Sequence, residues 1–263
     1  MRGVVLILCA VFMFSAMDTL AKYMLQSFPM SGLMWARYMV HATVMAVLLW
    51  PRMGMQLVRT GRPFLQVLRG LLLVLSTVFF YFALRYMPLA EAAAISFVGV
   101  LIIMRPGGGV LSLPAVFPLA TAILFSVYQI ITRKLAGREH PYTTLFYTAM
   151  VGAIVTSFAA PLNWVTPTWI QAGLMVCIGV LGGTGHLLLI RAMEYASPSA
   201  LAPYIYSQLV WSTLLAYLVF GDFPQTVTLV GMLVVVAAGL LAVNWRQMRR
   251  LSDAADQART HGD

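Results

Sequence analysis

Long apolar runs, separated by short breaks that contain proline or glycine, make up nearly the whole chain. Several runs approach the ~20 residues that a helix needs to cross the hydrocarbon core of a bilayer. They lack the alternation of polar and apolar residues that a membrane β-barrel requires. The pattern predicts helices at Gly3–Met24, Met30–Trp50, Phe64–Met87, Leu89–Met104, Ser112–Lys134, Tyr142–Ala160, Trp169–Arg191, Pro198–Phe220 and Val227–Trp245. The predicted fold class is therefore an all-α polytopic membrane protein.

The two halves of the chain resemble each other. Equivalent residues, about 110 positions apart, include Phe14 and Phe125, Lys22 and Arg133, Tyr86 and Tyr195, and Pro88 and Pro198. We predict a first repeat over residues 1–105, a second over 112–245 and a polar cytoplasmic tail over 246–263. The second repeat holds five helices. Because five is odd, two full copies in series would enter the membrane with opposite orientations, as in the inverted repeats of many secondary transporters.

The first repeat is shorter than the second. The second copy runs through residues 207–238 where the first joins Phe97 directly to Val98. The difference is roughly thirty residues, about one helical hairpin at ~1.5 Å per residue. We expect this shortening to leave a flank beside the first three helices without a covering wall.

Composition agrees with a membrane protein and excludes other classes. The 263 residues are 61% hydrophobic and 10% charged, whereas about a quarter of the residues in soluble domains are charged. The net charge of +9 lies in short loops, so it does not indicate a nucleic-acid partner. The first apolar run lacks a convincing cleavage site, so we interpret it as a retained span. Cys9 and Cys177 lie in apolar runs, and we interpret them as small core residues.

The basic residues also predict topology. The loop with Arg52, Arg59, Arg62 and Arg69 is the most basic part of the chain, so we assign it and the amino terminus to the cytoplasm. A second basic cluster follows the fifth candidate helix, at residues 133–138. It shares that side only if the segment 89–104 does not cross the membrane. The segment is either one apolar helix or a re-entrant turn near residues 96–99.

Several stretches together resemble the EamA branch of the drug/metabolite transporter (DMT) superfamily. They are L-R-G-L-L-L, Y-M-P-L-A-E-A-A-A-I-S-F, G-V-L-I-I-M-R-P-G and L-V-F-G-D-F-P. The resemblance implies a ten-helix carrier of the bacterial inner membrane, with cytoplasmic termini and a central cavity between the repeats. This chain departs from the pattern, since its fourth and fifth helices are fused and it would hold eight or nine spans. Members include carriers of S-adenosylmethionine, riboflavin and amino acids, so the fold does not select the cargo.

Ionisable residues inside spans are costly and are therefore candidates for function. Asp18 either neutralises Lys22, four residues away on the same helix face, or faces the cavity. Arg37, with His41 one turn on, either binds an anionic group or reaches the membrane interface. Glu91 binds a cation, carries a proton or caps a helix.

Further candidates lie in the second repeat. His186 either relays protons or hydrogen-bonds between helices. Gln129, Tyr204 and Gln208 offer hydrogen bonds, although tyrosines also anchor spans at the membrane surface. We predict one substrate-binding cavity lined by Asp18, Arg37, His41, Glu91, Gln129, His186, Tyr204 and Gln208.

The motifs of catalysis and cofactor binding are missing from the sequence. It contains no HExxH or GxSxG motif and no paired Cys/His spacing, and its glycines at 107–109 and 182–183 do not form a P-loop pattern. We interpret these glycines as sites of close helix packing. We therefore expect no enzyme, no metal site and no cofactor.

The leading functional hypothesis is a secondary carrier in the bacterial inner membrane. Its cargo would be a small polar metabolite, such as an amino-acid, nucleoside-like or vitamin-like compound. The alternative is a shortened membrane protein of the same fold that does not transport. Its partners are expected to be the metabolite and the lipid bilayer, and the chain is compatible with a homodimer.

Overall fold

A computed structural model describes residues 2–96 and 113–224, together with 226, 229, 230, 232 and 233. Regular structure in these residues is entirely helical. The helices are α1 (Arg2–Leu25), α2 (Met30–Met53), α3 (Pro63–Tyr86), α4 (Leu89–Ser96), α5 (Leu113–Leu135), α6 (Pro141–Ala159), α7 (Trp169–Tyr195), α8 (Pro198–Ile205) and α9 (Ser207–Phe220). Short 3₁₀ turns follow α2 and α6, at Gly54–Leu57 and Ala160–Asn163.

Six of the described helices are long and apolar enough to cross a bilayer, namely α1, α2, α3, α5, α6 and α7. This confirms the all-α polytopic membrane fold. Residues 97–104 of the fourth predicted helix, most of the helix predicted at Val227–Trp245, and the tail at 246–263 lie outside the described residues.

The prediction of one continuous helix over Pro198–Phe220 is wrong. The chain breaks at Tyr206 into α8 and α9. Pro203 lies inside α8 and cannot donate a backbone hydrogen bond. Just after it, the Ser207 hydroxyl donates to the carbonyl oxygen of Tyr204 at 2.7 Å. The Tyr204 carbonyl oxygen thus accepts from a side chain as well as from the backbone N–H of Tyr206 at the break.

The helices pack with an internal two-fold relation. The first helix of each half packs on the third helix of the other, as α1 on α7 and α5 on α3. The second helices, α2 and α6, pack on each other, and α2 contacts α7 as α3 contacts α6. The relation extends to α1 with α8 and α5 with α4. This packing agrees with two related halves, while the repeat boundaries stay a prediction.

Contacts between loops and helix ends show which ends share a face of the bundle. The loop after α2 meets the loop before α6, where the Gly61 amide donates to Glu139 Oε1 at 3.1 Å. We call this the basic face. At the other end of the bundle, which we call the opposite face, Lys22 at the end of α1 pairs with Asp222 after α9. Because α1 begins at the basic face and α5 ends there, the first helices of the two halves run in opposite directions.

The end of α3 and the start of α5 lie close together. Tyr86 at the end of α3 stacks on Phe117 near the start of α5, with ring centroids 6.4 Å apart. Both helix ends therefore lie at the opposite face. The two basic loops share one face, as the charge pattern predicted. Residues 97–104 lie outside the described residues, so whether the segment 89–104 spans or turns back stays a prediction.

Burial differs between the spans in one place. In α5 only 28% of the most apolar window is buried, against 44–50% in the other five spans. Its exposed side chains include Ile123 and Ile130. We expected a bare flank beside α1, α2 and α3, but the low burial is on α5. The two-fold equivalent of α5 is α1, which α9 covers. The missing hairpin itself stays a prediction.

The expectation that both cysteines are core residues is wrong. Cys9 on α1 and Cys177 on α7 are free and exposed. Both helices are apolar around their whole circumference, so the sequence pattern cannot separate core-facing positions from outward ones. In a bilayer, outward positions contact lipid, which accepts a thiol as readily as the core does.

Glycine allows α2 and α6 to pack in close contact. A Cβ atom on Gly152 would lie 2.2 Å from Cδ1 of the buried Tyr38 ring. We therefore expect Gly152→Ala to lower the free energy of unfolding by about 1–3 kcal/mol. Gly173→Ala is the matched control, because no atom lies within 4 Å of its added Cβ, and it should be neutral or slightly stabilising. Thermal unfolding in detergent measures both, and equal melting temperatures would contradict the packing.

The shared face of the two basic loops is testable by labelling. In a Cys9→Ala/Cys177→Ala background, Arg59→Cys and Arg138→Cys should react with an impermeant maleimide only when the cytoplasmic side is accessible. Asn163→Cys at the opposite face is the control and should react only from outside. Labelling of positions 59 and 138 from different sides would exclude this topology.

Candidate functional site

A cavity of about 420 Å³ lies at the centre of the bundle. Its size falls within the range of small-molecule sites in proteins. Helices of both halves form its walls, which are mostly apolar and include Phe14, Phe80 and Phe125. The polar lining consists of Asp18, Arg37, Ser76, Thr77, Thr121, Ser126, Gln129, His186, Tyr206 and Gln208.

Related positions of the two halves face this one cavity. Phe14 and Asp18 on α1 correspond to Phe125 and Gln129 on α5, at the same offset of 111 residues. All four side chains line the cavity. The two-fold relation therefore supplies matching aromatic walls, while the polar positions differ, with a carboxylate on α1 and a neutral amide on α5.

Asp18 and Arg37 place an acidic and a basic side chain at the cavity. Each side chain is only 6% exposed, and the two interact electrostatically. They do not form a close ion pair, since the described residues contain ion pairs within 4 Å only at Lys22–Asp222 and Arg191–Glu194. The two side chains thus face the same space without a direct contact between them.

Neighbouring tyrosines hold Arg37 in place. Its Nη1 donates to the Tyr81 hydroxyl at 3.5 Å, and its guanidinium lies 5.4 Å from the centre of the Tyr38 ring. The Tyr38 hydroxyl in turn hydrogen-bonds Thr77 Oγ1 at 3.1 Å. Arg37 is therefore fixed by aromatic and hydroxyl groups, and the option of reaching the membrane interface does not apply.

Lys22 does not neutralise Asp18, although they share a helix face. Its Nζ lies 3.3 Å from Asp222 Oδ2 and over the Phe220 ring. The partner comes from the loop after α9, 200 residues along the chain. Of the two alternatives for Asp18, the structure therefore favours the side chain that faces the cavity.

Arg69 was overlooked as an interior residue, because the sequence counted it among the loop arginines. It lies in α3 and is completely buried. Its guanidinium donates to Thr132 Oγ1 at 2.7 Å, to the Thr144 carbonyl at 3.0 Å and to Thr148 Oγ1. Its position inside the third apolar run was the available signal, because a charge there needs partners.

Tyr128 connects Arg69 to the cavity. Its hydroxyl lies 2.7 Å from Arg69 Nη2 and 3.1 Å from His186 Nδ1. His186 lines the cavity and packs against Phe14, with ring centroids 4.7 Å apart. The interhelical hydrogen bond expected as one role of His186 is therefore present.

Glycines of α7 bring α1 and α2 close to this site. A Cβ atom on Gly182 would lie 2.9 Å from Met17 Sδ, and one on Gly183 would lie 2.8 Å from His41 Cδ2. The two glycines thus serve close helix packing, as the sequence predicted.

The structure separates the eight predicted site residues into two groups. Asp18, Arg37, Gln129, His186 and Gln208 line the cavity. The other three do not. His41 is buried against Gly183, Glu91 lies on α4 near Lys22 and Asp222, and Tyr204 is exposed on α8. Substrate binding by the first five stays a prediction.

Comparison with known proteins adds a family and relatives. A sequence profile of the EamA-like transporter family matches residues 112–244. An S-adenosylmethionine uptake transporter of Rickettsia bellii is 30% identical, over 72% of this chain and 76% of that protein. The pseudopaline exporter CntI of Pseudomonas aeruginosa is 27% identical, over 90% of this chain and 94% of that protein. A solved crystal structure with 18% sequence identity superposes with a TM-score of 0.67, over 95% of this chain and 98% of that one.

Proposed function

Because the chain belongs to the EamA-like transporter family of the DMT superfamily, we propose that it is a secondary carrier whose central cavity binds a small zwitterionic metabolite. Its named relatives are metabolite transporters, and the chain is a multi-pass bacterial membrane protein. What remains to be argued is the chemistry of the cargo, which we derive from the cavity.

The open charge pair of Asp18 and Arg37 carries this proposal. A buried charge without a partner is expensive, whereas a buried pair with good geometry is tolerated. A cargo with both an ammonium or sulfonium group and a carboxylate would supply a partner for each side chain. Arg37 would bind the carboxylate, which a guanidinium contacts through two parallel hydrogen bonds. Asp18 would bind the cationic group.

Other features of the cavity support the same kind of cargo. Aromatic side chains from both halves, Phe14 and Phe125, form apolar walls beside the charges. Gln129 and Gln208 offer amide groups that both donate and accept hydrogen bonds. The names of the relatives, an S-adenosylmethionine uptake transporter and a pseudopaline exporter, differ in cargo and direction. S-adenosylmethionine carries an ammonium group, a sulfonium group and a carboxylate, and it is the first compound to test.

The charge pair predicts selectivity in reconstituted vesicles. Arg37→Gln should weaken S-adenosylmethionine binding about 10- to 100-fold, because charge-assisted hydrogen bonds contribute about 1.5–3 kcal/mol. It should also abolish discrimination against decarboxylated S-adenosylmethionine, which lacks the carboxylate. Asp18→Asn should weaken binding of both compounds. Radiolabelled uptake and competition measure these effects.

Lys22→Gln is the matched control, since Lys22 pairs with Asp222 and does not line the cavity. It should leave the affinity for both compounds unchanged. If wild-type vesicles bind neither compound, S-adenosylmethionine is not the cargo. If Arg37→Gln keeps full preference for the carboxylated compound, Arg37 does not bind the carboxylate.

The second candidate function is a shortened protein of this fold that does not transport. Low burial of α5 favours it, because Ser126 and Ile130 line the cavity and are also exposed, so the cavity is open beside α5. The alignment with the pseudopaline exporter spans 271 positions although the chain has 263 residues and only 90% of it takes part. That relative therefore carries segments that this chain lacks.

A hairpin insertion distinguishes the two candidates. Adding a generic helical hairpin of roughly thirty residues between Phe97 and Val98 should raise melting temperature in detergent and any transport, because it would cover exposed polar groups that cost up to several kcal/mol each in hydrocarbon. The same hairpin inserted in the loop at Val165 is the control. Unchanged stability with full transport by the native chain would show that another element closes the cavity.

A further inference from the structure

The buried contacts of Arg69 have a consequence for the cavity beyond holding helices together. Arg69 does not line the cavity, yet Tyr128 connects it to His186, which does. Arg69 and Tyr128 are both completely buried. Water therefore does not compete for these groups, and every hydrogen must find its acceptor within the protein.

Counting donors fixes the direction of each hydrogen bond. A guanidinium only donates, so the Tyr128 oxygen accepts from Arg69 Nη2. Among the described residues, the single hydroxyl proton of Tyr128 then has one acceptor with hydrogen-bond geometry, His186 Nδ1 at 3.1 Å. The Thr132 hydroxyl lies nearby, but it accepts from Arg69 Nε and donates to the Tyr128 carbonyl. If Nδ1 carried a hydrogen, that tyrosine proton would be buried without an acceptor. The same count excludes the doubly protonated ring, because its Nδ1 also bears a hydrogen.

The remaining ring nitrogen of His186 faces open space. The described residues contain two buried side-chain atoms without a partner, His41 Nε2 and Gln66 Oε1. His186 Nε2 is not one of them and forms no hydrogen bond to a described residue, while its side chain lines the cavity. Nε2 is therefore the atom that His186 offers to a bound molecule.

We propose that Arg69 and Tyr128 are positioning residues that fix His186 as the neutral tautomer with its hydrogen on Nε2, so that it reads a hydrogen-bond acceptor on the cargo. Phe14 lies against the same imidazole, with ring centroids 4.7 Å apart. A flat ring placed on Phe14 would bring an edge to this donor. The class of cargo group selected here is thus a planar heterocycle with a ring nitrogen or carbonyl oxygen as acceptor.

The tautomer part of this proposal does not depend on any cargo, whereas the heterocycle part rests on the proposed function. The heterocycle complements the charge pair. Arg37 lies beside Gly182, and His186 follows one helical turn later on the same face of α7. One molecule can therefore place its charged part at Asp18 and Arg37 and its ring at His186.

The first experiment measures the tautomer directly in the full chain. Nitrogen NMR of ¹⁵N-histidine-labelled protein distinguishes the two neutral forms, and loss of a signal in His186→Gln assigns the residue. We expect a single Nε2–H form in the wild type and a mixture of both forms in Tyr128→Phe. Tyr147→Phe is the matched control, because the Tyr147 hydroxyl bonds the Val58 carbonyl away from the cavity, and it should leave the tautomer unchanged.

The wild-type measurement needs no variant, so it decides even if Tyr128→Phe does not fold. An Nδ1–H form or a mixture in the wild type would overturn the proposal. So would an unchanged single Nε2–H form in folded Tyr128→Phe, because the tyrosine would then not set it.

The second experiment tests the acceptor on the cargo. Wild-type protein is titrated with S-adenosylmethionine and with its 1-deaza, 3-deaza and 7-deaza analogues, each of which replaces one ring nitrogen by carbon. We expect one analogue to bind about tenfold more weakly, the effect of one lost hydrogen bond. Tyr128→Phe should reduce that difference, and Tyr147→Phe should keep it.

The outcomes separate the two levels of the argument. Absence of binding by all four compounds, with a single Nε2–H form in the NMR, would reject the proposed cargo and support the positioning role. Tight and equal binding of all four compounds would overturn the reading of a ring acceptor by His186.

Discussion

Burying charge in a low-dielectric interior is the constraint on which this structure depends. Two arginines meet it in different ways. Arg69 spreads its donors over hydroxyl and carbonyl groups of α5 and α6, and it thereby joins the two halves of the bundle. Arg37 has a weaker set of protein partners, Tyr81 and the face of Tyr38, and it faces the cavity. The first arginine is satisfied by the protein, and the second has capacity left for a ligand.

The cost of unsatisfied polar groups in the membrane interior also explains the helix packing around the cavity. Small residues on α6 and α7 let the helices approach until aromatic rings and buried polar groups touch backbone, as Tyr38 does at Gly152 and His41 at Gly183. In lipid, such close packing replaces the hydrophobic effect as the source of helix association. Threonine and serine hydroxyls then donate to backbone carbonyls one turn earlier, as Thr132 does to the Tyr128 carbonyl. These hydroxyl groups therefore lie in the helices with their hydrogens paired.

The sequence predicted the spans well because length and apolarity alone determine whether a helix can cross a bilayer. It also predicted that Asp18, Arg37, Gln129, His186 and Gln208 face one cavity, since polar residues in spans turn away from lipid. It missed what depends on distant partners. Lys22 pairs with Asp222, 200 residues along the chain, rather than with the nearby Asp18. Arg69 was assigned to a loop because a count of charges does not show which arginines find hydrogen-bond partners on other helices, here threonines and a tyrosine.

The unequal pair Asp18 and Gln129 has a consequence for the proposed transport cycle. In a carrier made of two inverted halves, the inward-open and outward-open forms arise when the halves exchange conformations. If the halves were identical, the two forms would be related by a two-fold rotation about an axis in the membrane plane and would have equal free energies. A carboxylate on α1 opposite an amide on α5 removes that degeneracy, because one form exposes the half with the carboxylate to water and the other exposes the half with the amide. In the proposed carrier, this pair therefore contributes, together with the other differences between the halves, to a preference of the empty protein for one side of the membrane.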